Sequence, residues 1–216
     1  MIPTLLVGDW LFVNKAIFGA HIPFTGSSLP AVREPRRGDV VVFVSPYQAD
    51  EDSAGRDATP TLVKRLVGTP GDTLYMRSGL LYLNGIAQRQ GYGINTQVDP
   101  VVGGSVDPLF DWQKKVGLKS SRFGAAPTQP SHDEWGPIVV PPRRLFMMGD
   151  SRYNSKDSRY WGFVPRANIV GRPLVIYLSV RGSEHGRSSD KLIHSGQTMA
   201  HLLDLARWDR MFRLVR

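Results

Sequence analysis

The chain of 216 residues has no cysteine. A disulfide framework and a thiolate metal site are therefore excluded, while an oxidising compartment stays open. It has no apolar run of about 18 residues, so the chain as given carries no transmembrane helix. It has no signal peptide either, because Met1 runs almost directly into the Pro3-Thr4 turn. The five histidines (His21, His132, His185, His194, His201) fall in neither HExxH nor HxxxH spacing, which removes the local zinc motifs. No internal repeat is visible. Acidic groups are outnumbered: 19 Asp and Glu stand against 27 Lys and Arg, a net charge of +8. That balance suits nucleic acid, anionic lipid headgroups or acidic partners equally. With 41% hydrophobic and 21% charged residues the chain reads as globular. Its length allows one core, or one core with an inserted subdomain.

The densest chemistry lies in Met147 to Pro165. The apolar run Leu145-Phe146-Met147-Met148 stops at Gly149. Asp150, Ser151, Arg152, Asn154, Ser155, Asp157, Ser158 and Arg159 follow before Trp161-Gly162-Phe163 turns apolar again. Short polar side chains favour turns, and alternating Asp and Arg suits a loop held by charge-assisted hydrogen bonds. A solvated surface turn is the plain reading. The large apolar rings of Tyr160 and Trp161 argue against it, as does the apolar strand that feeds the loop.

Strand signals recur along the chain. Trp10 to Val13 reads as a short buried strand, and Val40 to Val44 as a core strand bounded by Gly38 and Pro46. Thr61 to Leu66 is a strand before the Pro70-Gly71 turn. Within it Leu62 and Lys64 face one side, Val63 and Arg65 the other. Lys64 in so apolar a strand either snorkels to water or sits in a dry site. In a dry site desolvation lowers its pKa, and a neutral amine can take a proton from a serine hydroxyl. Leu80 to Gly85 ends in Asn84-Gly85, the favoured two-residue hairpin turn. Ile138-Val139-Val140, flanked by Pro137 and Pro141, reads as a strand confined to a sheet edge or a strand end. Arg143 to Met148 and Ile169 to Leu178 complete the strands. Residues 86–137 read as an inserted, loop-rich β region, with His132-Asp133-Glu134 taken as a solvated turn rather than a metal or acid–base cluster. Gly182 to Ser189 reads as mobile. Met199 to Arg216 has the spacing of a short amphipathic helix with a basic face, either packed on the domain or docked on an anionic membrane surface.

Gly149 to Gly162 resembles the signature box of bacterial type I signal peptidases (leader peptidases), GDNRDNSxDSRxWG. Ser151 stands for the usual Asn and Tyr153 for the usual Asp. Three further stretches resemble that family in the same order. Met1, Pro3, Thr4, Leu5, Gly8, Asp9, Val13 and Lys15 match its SMxPTLxxGDxxxVxK box from the Met onward. Arg37-Gly38-Asp39 and Val41-Val42-Phe43 match RGDxVVF. Lys64, Arg65, Gly68, Pro70, Gly71 and Asp72 match KRxxGxPGD.

The resemblance implies a mostly β, signal-peptidase-like fold: a catalytic core (1–85 and 138–180), an inserted β subdomain (86–137) and a C-terminal tail (181–216). It implies a serine endopeptidase of the Ser/Lys type that cleaves signal peptides from exported preproteins at the outer face of the cytoplasmic membrane. No cofactor, no metal and no nucleic acid partner are expected; the partners are signal peptides and the lipid surface. Lys64 takes the general-base role and Ser155 orients it. Asp157 and Arg159 form a supporting ion pair, and Asp150 and Arg152 brace the loop. Met1, Leu5, Leu62 and Val63 line shallow pockets for small side chains, hence an Ala-x-Ala preference. The family's nucleophile is the serine just before the matched Met, so these 216 residues by themselves are expected to cleave nothing. A conjugative-transfer processing peptidase and a non-catalytic binder of signal peptides or membrane are the alternatives. A self-cleaving repressor would need a helix-turn-helix region, and none is evident.

Overall fold

β-Branched and aromatic runs bounded by turn residues fold as strands because such side chains pack well on a pleated surface. The computed structural model describes residues 1–19, 30–46, 61–89, 104, 106–119, 121–181 and 205–215. Within these, ten strands run in chain order: β1 (Asp9–Asn14), β2 (Val40–Val44), β3 (Thr61–Gly68), β4 (Thr73–Arg77), β5 (Leu80–Leu83), β6 (Ile86–Ala87), β7 (Trp135–Val139), β8 (Arg144–Met148), β9 (Val164–Pro165) and β10 (Ile169–Ser179). They form two antiparallel sheets, one of order β1-β10-β2-β3-β8-β9 and one of order β6-β5-β4-β7. The chain is mostly β, as expected.

β3 lies inside the larger sheet, between β2 and β8. β8 is buried on both faces. Phe146 and Met148 join Val67, Leu74, Met76, Leu81, Trp135 and Ile138 in a core shared by the two sheets. Leu145 and Met147 point the other way, to Phe18, Val41, Phe43, Leu66, Val164 and Ile169. Period-two alternation sends neighbouring residues to opposite faces, so a strand with cores on both sides reads as continuous apolar sequence. Each such side chain, fully buried, contributes about 1.5–3 kcal/mol.

The hairpin turns behave as their residues require. Asn84 and Gly85 have φ of 53° and 89°, and Ser78 and Gly79 have 50° and 72°. Positive φ at both central residues suits two-residue loops between twisted strands. The Asn84 side chain reinforces its turn, accepting from Thr73 N–H at 2.8 Å and donating to Asp72 at 3.0 Å. β7 is the edge strand of its sheet, consistent with its prolines.

Three features depart from the sequence reading. β4 and β5 fall within the 1–85 segment but hydrogen-bond to β6 and β7 of the smaller sheet. Within 86–137, Pro108–Phe110 is a 3-10 turn and Trp112–Val116 a short helix. Asp107 caps that turn by accepting from Leu109 N–H at 3.0 Å, with Pro108 in the first helical position. In the described part of the tail Leu205 is helical, whereas 206–215, which the expected helix included, hold one 3-10 turn (Trp208–Arg210) and two isolated bridges. Some of its backbone donors go to β10: Phe212 N–H to Ile176 O at 2.7 Å and Val215 N–H to Leu174 O at 2.9 Å. Arg210 is drawn to Asp9 at 2.6 Å. The remainder of that expected helix and the Gly182–Ser189 stretch lie outside the described residues. Among the described residues no helix is long and apolar enough to cross a membrane.

Candidate active site

Lys64 sits where β3 crosses the interior of the larger sheet. Val41 is its cross-strand partner, and Leu62 and Leu66 share its face. These apolar neighbours strip water from the ammonium, and burial holds the Lys64 pKa below the usual lysine range. The Asp157 charge opposes that shift and Arg159 adds to it. Lys64 Nζ donates to Ser155 Oγ at 2.8 Å. Lys64 is half-buried, and its amine turns to Ser155 rather than to open solvent.

The loop after β8 builds the wall opposite Lys64. Asp157 lies at its base with its side chain fully buried beside an equally buried Arg159, at 2.8 Å. Its carboxylate accepts from Gly149 N–H at 3.0 Å and from Arg159 Nε at 2.9 Å. It also caps the short helix Ser158–Trp161 through Arg159 N–H. Burial alone would raise the Asp157 pKa, but Arg159, the Gly149 N–H and Lys64 outweigh it, and the carboxyl is held below its usual range. Ser158 Oγ accepts from Met147 N–H at 2.9 Å, which ties the helix to β8. Arg152 donates through Nε to Gly149 O at 3.1 Å, and Arg159 reaches the Arg152 carbonyl. Burial, with repulsion from Arg159, lowers the Arg152 pKa to about 10.

On the opposite face of β3, Arg65 clamps Asp150 with two 2.8 Å bonds. Thr4 also bonds to Asp150, and Arg65 reaches Gly38 O at 2.7 Å. The stretches around residues 1–15, 37–43, 64–72 and 149–165 thus meet at one place. Lys64, Ser155, Asp157, Arg159, Asp150 and Arg152 all belong to it. The four apolar residues do not all converge. Met1 and Val63 pack around Leu5, whereas Leu62 packs with the Phe18 and Val41 cluster on the Lys64 face. Among the described residues no group of His, Asp and Glu has a metal-binding arrangement.

Comparison with known proteins decides the family. The model for "Signal peptidase, peptidase S26" matches residues 1–178. The chain belongs to the signal peptidase family, peptidase S26. It is 32% identical over 200 residues to "Signal peptidase I" of Pseudomonas aeruginosa, covering 83% of this chain and 62% of that protein. It is 34% identical over 200 residues to the enzyme of the same name from Pseudomonas fluorescens, with the same coverage. "Probable signal peptidase I-2" of Synechocystis is 31% identical over 180 residues, covering 83% of this chain and 60% of that one. The chain spans about 62% of the length of the Pseudomonas relatives.

The signature box of this signal peptidase family member departs from the usual pattern at two places, and both are accommodated. Ser151 is small and buried. Tyr153 turns out of the loop, and its hydroxyl donates to Asp133 at 2.8 Å. Asp133 belongs to the turn read from sequence as solvated. That reading is corrected: His132 is only 4% exposed. Its Nε2 lies 3.0 Å from the Tyr160 hydroxyl and its ring rests on Phe110. Glu134 accepts from Ser78 N–H at 2.6 Å. The sequence reading also missed Arg65 as the partner of Asp150, and Trp112 and Gln113, which donate to the Arg159 carbonyl at 2.7 and 3.2 Å.

Gly149 has a role legible only in three dimensions. A Cβ there would fall on Ser155 Oγ and come within 3.7 Å of Lys64 Nζ. Gly149→Ala is expected to push Ser155 off Lys64, with overpacking costing about 1–3 kcal/mol. Thermal unfolding checks the stability, and the Lys64 titration checks the contact. An unchanged titration would contradict this placement of Ser155.

Proposed function

We propose that these residues are the catalytic part of a serine endopeptidase of the Ser/Lys type that removes signal peptides from exported preproteins. The observation that carries this reading is a lysine amine desolvated in an apolar sheet and held 2.8 Å from a serine hydroxyl. Ser155 itself is a poor nucleophile here, since it is 9% exposed and lies behind Gly149. It orients Lys64. The attacking group is a serine immediately before Met1, the position the signal peptidase resemblance implies. Burial, and after it the Lys64 charge, lower the pKa of the Met1 amine, where that residue would join, and this supports a place for it near Lys64.

In the proposed reaction the serine Oγ attacks the scissile carbonyl carbon and its proton passes to neutral Lys64 Nζ. The protonated lysine returns a proton to the departing amine, leaving an acyl-enzyme. Lys64 then takes a proton from the water that attacks the ester carbonyl and passes it to the serine Oγ as the acyl C–Oγ bond breaks, which frees the new carboxyl end and regenerates the serine. Leu5, with Met1 and Val63 around it, offers a shallow apolar wall that suits small side chains such as alanine. The substrate class and the outer face of the cytoplasmic membrane as the site of action belong to this proposal. A lipid surface as partner is supported by exposed rings on β1 and the tail, beside half-buried Tyr177 of β10. Phe12 packs on Tyr177 with centroids 4.5 Å apart, and Trp208 and Phe212 are 60% and 78% exposed.

The test is the pH dependence of peptide cleavage by the chain carrying that serine. Because only neutral Lys64 accepts the proton, kcat/KM rises with pH through the Lys64 pKa. Burial places that limb below the ordinary lysine range. A limb at the ordinary lysine position would contradict the assignment.

A further inference from the structure

The loop that carries Ser155 is gripped from one side by a part of the chain that contributes no group to the proposed chemistry. Tyr153, two residues before Ser155, donates to Asp133 at 2.8 Å. Tyr160, in the helix that follows Asp157, lies with its hydroxyl 3.0 Å from His132 Nε2, and Asp107 is close enough to help hold its pKa up. Between these tyrosines, the Arg159 carbonyl accepts from Trp112 Nε1 at 2.7 Å and from Gln113 Nε2 at 3.2 Å. All three attachments come from residues 107–133.

That segment is itself anchored. Ser131 N–H bonds to Glu134 O at 2.8 Å and Glu134 N–H to Ser131 Oγ at 3.1 Å, closing the turn. The turn then joins the smaller sheet, where Ser78 N–H donates to Glu134 and Gly79 N–H to Asp133 O at 3.3 Å. Leu118 N–H bonds to Pro137 O at 2.8 Å, which ties the Trp112 helix to β7. Phe110 fills the space between the attachments, its ring 5.0 Å from His132 and 4.7 Å from Tyr160. The grip thus runs from a regular sheet, through short anchored turns, to the residues on either side of Ser155.

We infer that Asp107 to Asp133 form a brace that fixes the distance of Ser155 from Lys64, with Tyr153, Tyr160 and the Arg159 carbonyl as its points of attachment. Tyr153 and Trp112 are positioning residues in this scheme, acting on Ser155 and Lys64 through the loop. The inference rests on the reading of Lys64 as the general base. A site held by side chains needs a rigid support behind it, and a shift of about 1 Å at the supported group is enough to impair chemistry. The departure of Tyr153 from the usual Asp is then a functional feature. It supplies a longer arm, able to reach a carboxylate outside the loop.

The test follows the titration of Lys64 directly, in residues 1–216 with isotope-labelled lysine, so that no turnover is needed. Tyr153→Phe removes one hydroxyl, and Trp112→Phe removes one N–H while keeping a ring. Each loosens the loop, admits water to Lys64 and raises its pKa, so the neutral fraction at pH 7 falls about threefold or more. Asp133→Asn retains an acceptor for Tyr153 and titrates like the parent, whereas Asp133→Leu behaves like Tyr153→Phe. Tyr177→Phe, on β10, changes nothing. Cooperative thermal unfolding of every variant shows that the fold is retained. If Lys64 titrates low in the parent and stays there in Tyr153→Phe, Trp112→Phe and Asp133→Leu, the brace is overturned while the base assignment stands. If Lys64 titrates in the ordinary range in the parent, the base assignment fails and the brace with it.

Discussion

Lys64→Ala, in a chain with a serine immediately before Met1, is expected to lose about 10²–10⁴-fold in kcat/KM while folding normally, the range that a positioned general base contributes. The loss falls on kcat, because Lys64 acts on a proton in flight and not on substrate affinity. The alanine leaves a cavity lined by apolar neighbours, and it removes an ammonium that burial already disfavours. Stability therefore changes little, which separates this variant from one that merely unfolds. Ser155→Ala loses less than Lys64→Ala, since it removes the orienting hydroxyl and leaves the base. Kinetics on the pair of variants checks the order, and equal losses would give Ser155 a direct part in the reaction.

Arg159→Met is expected to destabilise the fold by about 3–5 kcal/mol, the cost of stranding one member of a buried ion pair. Both side chains of the Asp157–Arg159 pair have no exposure, so solvent screens nothing. The substitution leaves the Asp157 carboxylate with Gly149 N–H and its own cap bond but without its adjacent counter-charge. Asp157→Asn strands the guanidinium instead, and the double variant recovers part of the loss. The pH dependence has a definite sign. Asp157 titrates below the unfolded carboxyl, so its contribution is present in full above the unfolded pKa and is lost as pH falls through the folded one. In Arg159→Met the folded carboxyl pKa rises toward the unfolded value, so the loss on acidification is smaller and is complete at higher pH. Chemical denaturation at several pH values measures both effects. An Arg159→Met protein as stable as the parent would show that the pair is not what holds the loop.

Much of the sheet was legible because its signals are local. The Val40–Val44 run is β-branched and bounded by Gly38 and Pro46, and Asn84-Gly85 carries its turn chemistry in two residues. Lys64 also stood out locally, as a cation in an apolar strand, although whether it was dry depended on Val41, Leu66 and Ser155 arriving from elsewhere. Pairings over long separations were not readable. Arg65 and Asp150 lie 85 positions apart, and nothing near either names the other. β4 and β5 carry the same alternation whether they join one sheet or the other; their place was decided by Trp135 and Ile138 of β7. Residues 206–215 continue the helical spacing of the tail, yet Arg210 is captured by Asp9 and part of the backbone by β10. Tertiary pairing there outweighed a weak local preference. His132 looked solvated because its cover, Phe110 and Tyr160, comes from either side of it in sequence. The Asp107-Pro108 start of the 3-10 turn was the one missed signal that the sequence did contain.

The most direct test of Lys64 as the base for a serine set before Met1 is a cleavage assay on a preprotein peptide ending its signal in Ala-x-Ala. Residues 1–216 alone are compared with the same residues carrying that serine and its preceding segment. Only the serine-bearing chain is expected to cleave, after the small residue, with an acyl-enzyme trapped on the added serine. Cleavage by residues 1–216 alone, or peptide binding by both chains with cleavage by neither, would contradict it.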